Sequence, residues 1–65
     1  MSERVKIRTT NPQALRDTLI ELVGGRHEVL LDTYADGVVE VETDNPGFLV
    51  FACRNQGYGE VVENG

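Results

Sequence analysis

The sequence predicts an α+β sandwich of ferredoxin-like βαββαβ order, a four-stranded antiparallel sheet (strand order 4-1-3-2) with two helices on one face. Three observations carry this: an internal repeat, a strong hairpin signal at the join between its halves, and a switch of hydrophobic period from two to 3.6 and back within each half. The segment from Val5 to Leu15 aligns with Val39 to Leu49 and shares Val, Thr, Asn, Pro and Leu at matching places. Further on, Gly25-Arg26-His27-Glu28-Val29 matches Gly57-Tyr58-Gly59-Glu60-Val61. Self-similarity of this kind marks repeated supersecondary units. Residues 1–65 therefore read as one domain made of two βαβ halves, 4–35 and 38–63.

Each element follows from local chemistry. Val5 and Ile7 alternate with Arg4, Lys6 and Arg8, the pattern of a half-buried strand. Asn11 is a good N-cap, and Pro12 suits the first helical position, where a missing N–H costs nothing. Leu15, Leu19 and Leu22 recur at helical spacing, Ile20 and Val23 widen the stripe, and Gly24-Gly25 is expected to end the helix. Val29, Leu31 and Thr33 form the core-facing side of the second strand. Asp36-Gly37 favours a type I′ turn, which needs positive φ at both central residues. Val39, Val41 and Thr43 return as the third strand. Asn45-Pro46 opens the second helix, where Phe48, Leu49, Phe51, Ala52 and Cys53 supply apolar bulk, and Gly57 closes it. Glu60 to Glu63 make the last strand. The inner face then comprises Val5, Ile7, Val29, Leu31, Val39, Val41 and Val61. The outer face carries Arg4, Lys6 and Arg8 on strand one, between acidic neighbours, and opposite charges there hold the register.

Composition narrows the functions. A 65-residue chain buries only about 60% of the surface its unfolded form exposes, so it has one modest core and little room for a shielded cleft. The formal net charge is -5, from 11 acidic and 6 basic residues. That balance opposes nucleic-acid binding, which depends on cations neutralising phosphates, and opposes an anionic membrane surface. The central strands also lack the aromatic residues on which single-stranded RNA stacks. A lone cysteine and no signal peptide point to a reducing cytoplasm. Cys53 sits in an apolar stretch and reads as a core residue. His27 stands alone, without a second His or Cys in reach, and reads as a surface or strand-end residue. No catalytic constellation, metal site or cofactor motif emerges, so none is assigned.

Topology brings three loops to one end of the sheet: Thr9 to Pro12, Ala35 to Gly37, and Gly57 to Gly59. This end combines Thr9, Thr10 and Asn11, at a helix start, with Tyr58 between two glycines. It is the candidate binding site. Asp44 beside Asn45, at the other end, reads as part of helix capping.

The chain resembles the heavy-metal-associated domain, the fold of copper chaperones and of metal-ATPase N-terminal modules. The resemblance rests on size, βαββαβ order, the valine-rich hairpin and Gly57-Tyr58 before the last strand. It implies the ferredoxin-like fold and a contact role for Tyr58 beside the loop after strand one. That family holds soft metal with a Cys-x-x-Cys pair in this loop, where the chain has Thr9-Thr10-Asn11-Pro12, so thiolate capture of Cu(I) is not implied. The leading expectation is a non-enzymatic binding or regulatory module for a protein partner. The alternative is a small-ligand or metal sensor or carrier using oxygen donors from Thr9, Asn11 and Asp36. Outer strands two and four are open to pairing between two copies, as a homodimer would require.

Overall fold

The computed structural model describes the backbone of residues 2–64 and the side chains of residues 2–62. Its elements run β1 (Glu3–Arg8), α1 (Pro12–Ile20), β2 (His27–Ala35), β3 (Val38–Thr43), α2 (Pro46–Gln56) and β4 (Glu60–Asn64). All strand pairings are antiparallel, and the sheet order is β2-β3-β1-β4, the expected 4-1-3-2 order read from the other edge. Among the described residues, no helix is long and apolar enough to cross a membrane.

One core lies between the sheet and the helices. Val5, Ile7, Val29, Val39 and Val41 bury against Leu15 and Leu19 of α1 and Leu49 and Cys53 of α2, with Leu22, Tyr58 and Val61 at the margin. Both helices therefore cover the same face, because strand side chains alternate faces and only one set is apolar. Arg4 pairs with Glu40 at 3.2 Å and Arg8 with Glu60 at 3.0 Å on the opposite, solvated side. In the ladder Lys6 stands opposite Glu40.

The helix starts take the same form twice. The Asn11 side chain accepts from Ala14 N–H at 3.1 Å and that of Asn45 from Phe48 N–H at 3.2 Å, each with proline next. The hydroxyl two residues back accepts the capping residue's own N–H: Thr9 for Asn11 at 3.2 Å, Thr43 for Asn45 at 3.0 Å. These bonds satisfy donors that a helix start leaves unpaired.

Four departures from the sequence reading have physical causes. Helix α1 ends at Ile20, four residues before Gly24, in a tight turn where Glu21 N–H donates to Thr18 and Leu22 N–H to Leu19. Ile20 and Val23 are consequently exposed instead of widening the core stripe. Phe51 is 62% exposed; Leu49, Ala52 and Cys53 take the sheet-facing side of α2, and two residues from Leu49 is about 200° of helical rotation. His27 is buried, 7% exposed, where the sequence suggested a surface position.

Leu31, expected in the core, is 37% exposed. The register moves from Leu30↔Glu40 to Ala35↔Val38, so five steps along β2 match two along β3. An odd excess of three residues reverses the alternation, because side chains switch faces at every position. Thr33 repairs the interrupted ladder: its hydroxyl donates to the Leu30 carbonyl at 2.6 Å and accepts from Glu40 N–H at 2.9 Å.

Candidate functional site

The three loops named from the sequence do converge. Beyond the bulge, Asp36 and Gly37 turn the chain at φ 53° and 79°, the two positive values of a type I′ hairpin. Thr9 N–H donates to the Gly37 carbonyl at 2.9 Å, tying the β1–α1 loop to that turn. Tyr34 then closes the same corner, its hydroxyl donating to the Thr9 carbonyl at 2.8 Å. On the β4 side, Gly57 caps α2 in the left-handed conformation (φ 70°), with its N–H on the Cys53 carbonyl at 2.9 Å. Gly59 follows in close contact with β1. A Cβ there would stand 2.7 Å from Ile7 Cγ2 and 3.0 Å from the Arg8 carbonyl oxygen, so only glycine lets β4 start this near β1.

Together these loops frame an open cavity of about 490 Å³. Thr9, Thr10, Gly37 and Tyr34 line one side; Tyr58, Gly59 and the Arg8–Glu60 pair line the other. Of the residues singled out from sequence, Thr9, Thr10 and Tyr58 meet here. Asn11 lies at the same end but does not line the cavity, its side-chain oxygen being taken by the cap of α1. Asp36 forms the hairpin turn and is likewise outside the lining. Sequence reasoning missed Tyr34. Regular alternation puts Tyr34 on the solvated face, and only the β2 bulge carries it to the helix-side corner, where it meets Thr9. The one available signal was an aromatic residue two positions before an Asp-Gly turn.

At the opposite end the capping corner itself is filled by side chains. Thr43 is 1% exposed, and its hydroxyl meets His27 Nδ1 at 2.8 Å. The His27 ring stacks on Phe48 with centroids 6.0 Å apart. Asp44, expected to share in helix capping, bonds Arg26 instead: its carboxylate accepts from Arg26 N–H at 2.8 Å, and its own N–H donates to the Arg26 carbonyl at 3.2 Å. The Asn45 amide donates to the Gly24 carbonyl at 3.2 Å. Burial lowers the His27 pKa below the ordinary histidine value, with the Asp44 carboxylate opposing the shift in part.

Chemistry elsewhere is spare. Burial pushes the Cys53 thiol up, which suppresses the thiolate that a nucleophile or soft-metal ligand requires. Among the described residues, no group of three or more His, Cys, Asp or Glu side chains could share a metal ion. The tyrosine-framed end thus offers aromatic surface, hydroxyls and close-lying backbone. Comparison with known proteins finds no matching family model, no matching curated sequence and no matching solved structure.

Proposed function

We propose that this chain is a small non-enzymatic binding or regulatory module that engages another protein through the end framed by Tyr34 and Tyr58. One observation carries the reading: three loops, tied by the Thr9–Gly37 and Tyr34–Thr9 hydrogen bonds, hold two tyrosine rings around an open concavity. Tyrosine is among the residues that dominate protein interfaces, since a ring supplies much contact area at low cost in side-chain entropy. The tied loops present that surface already ordered, which lowers the cost of association. The resemblance to heavy-metal-associated domains contributes the use of this end of the sheet, with contact to a partner surface in place of soft-metal capture.

The test is capture from a lysate of the source organism by the tagged protein, with Tyr58→Ala alongside and both melted by circular dichroism. A partner retained by the native chain and lost by a variant that melts within a few degrees of it supports the module. A partner held equally by both removes Tyr58 from the interface, and turnover of any substrate by the purified chain overturns the reading. The cavity volume also supports the second reading, a small-ligand sensor or carrier at the same loop, since about 300–1,000 Å³ is usual for such sites. Calorimetric titration with divalent ions and small metabolites separates the two.

A further inference from the structure

A second concavity, of about 430 Å³, lies between α1 and the start of β2, lined by Arg16, Ile20, Arg26, His27, Glu28 and Val29. Its cations stand apart from those of the sheet. Arg4 and Arg8 are paired with Glu40 and Glu60, whereas Arg16 and Arg26 join no ion pair among the described residues. In a chain of net charge -5, two unpaired guanidinium groups beside one cavity are an unusual placement.

The imidazole next to them points the same way. The Thr43 hydroxyl accepts from Asn45 N–H and also meets His27 Nδ1, so one ring nitrogen is engaged. Nε2 is buried and has no hydrogen-bond partner among the described residues, a state rare for buried polar atoms in folded proteins. A buried ring nitrogen without a partner thus stands beside two unpaired guanidinium groups, a local surplus of positive charge.

We propose that this cavity is a site for a small tetrahedral oxyanion, phosphate free or at the end of a phosphomonoester, held by Arg16 and Arg26 beside the imidazole of His27. Guanidinium groups match phosphate oxygens in paired, charge-assisted hydrogen bonds. Two charges of opposite sign stand near His27: the Asp44 carboxylate, already engaged by Arg26 N–H, and Glu28 at the cavity wall. The C-terminal end of α1 adds a partial negative charge of about one half. In the cavity lining itself, two guanidinium groups face the single carboxylate of Glu28, Asp44 lying outside it. An anion bound there favours protonated His27 and opposes the lowering of its pKa by burial.

Nuclear magnetic resonance titration with inorganic phosphate at pH 7.5 tests the site, with ionic strength held constant by sodium chloride and phenyl phosphate run in parallel. Saturating shifts at the Arg16 and Arg26 side chains and the His27 ring are expected, weakened at least tenfold in Arg16→Gln and in Arg26→Gln. Both arginines are exposed, so these variants keep the wild-type spectrum elsewhere. Glu28→Gln tightens binding by removing the opposing carboxylate. Tighter binding of phenyl phosphate assigns the ester as the ligand, and equal binding assigns free phosphate. Shifts that grow without saturating, that chloride reproduces, or that survive both arginine substitutions overturn the proposal. None of these readings depends on the tyrosine-framed end.

Discussion

The two ends of the sheet begin from the same four-residue idea and finish differently. Thr9-Thr10-Asn11-Pro12 and Thr43-Asp44-Asn45-Pro46 cap their helices with matching hydrogen bonds. At the second, His27 stands opposite Thr43 in the ladder, its ring fills the corner, and Phe48 covers it. At the first, the position that aligns with His27 is Gly59, the one that aligns with Phe48 is Ala14, and a cavity remains. The backbone of a capping loop therefore decides where a helix starts, and side chains from neighbouring strands decide whether that corner is sealed or available. A filled corner contributes stability; an open one leaves the capping loop itself exposed for recognition.

The largest test of this contrast is a pair of matched substitutions. Thr43→Val removes a buried hydroxyl serving both His27 and Asn45, and should cost about 1–3 kcal/mol because it strands buried polar partners. Thr9→Val at the open end should cost about 0.5 kcal/mol, since Asn11 N–H is then satisfied by water. In a domain this small, 1 kcal/mol moves the melting temperature by roughly 4–8 °C, so the two melts separate clearly. Equal losses would erase the distinction between the ends.

Acid should act next, and on one end only. The folded chain holds the His27 pKa below 6.5, so below that pH the unfolded chain binds more protons. Stability should thus be unaffected by His27 above about pH 6.5 and fall as pH drops from there through the lowered folded value. Denaturant melts of the native chain and of His27→Gln across pH 5–8 check this; a slope unchanged in the variant would show that His27 is not its source. The smallest effect is expected from Tyr34→Phe, which removes only the exposed hydroxyl bond to the Thr9 carbonyl, at about 0.5 kcal/mol. Faster hydrogen exchange at Thr9 in that variant, with Thr43 unchanged, would sharpen the comparison by localising the loosening.

Much of this was legible from residues alone. Val5, Ile7, Val39 and Val41 alternate without interruption and all four are buried, since a regular strand leaves no freedom over which face they take. The Asn-Pro starts of both helices and the Asp36-Gly37 turn are local chemistry, settled within three or four residues of the chain. The convergence of Thr9, Gly37 and Tyr58 also followed from element order, because antiparallel strands return their ends to fixed places.

What could not be read locally were events that depend on distant backbone. The β2 bulge exists because Thr33 can bond across to Glu40 N–H, a contact seven residues away that no periodic pattern encodes. From it follow the exposure of Leu31 and the arrival of Tyr34 at the cavity. The burial of His27 likewise waited on Thr43 and Phe48, which reach it only after the sheet has formed. The sequence by itself determined the elements, their order and the inward face of the regular strands, since each depends on short-range sterics and period. Only the tertiary structure decided which capping loop is sealed and which stands open, because that choice belongs to side chains brought together across the sheet.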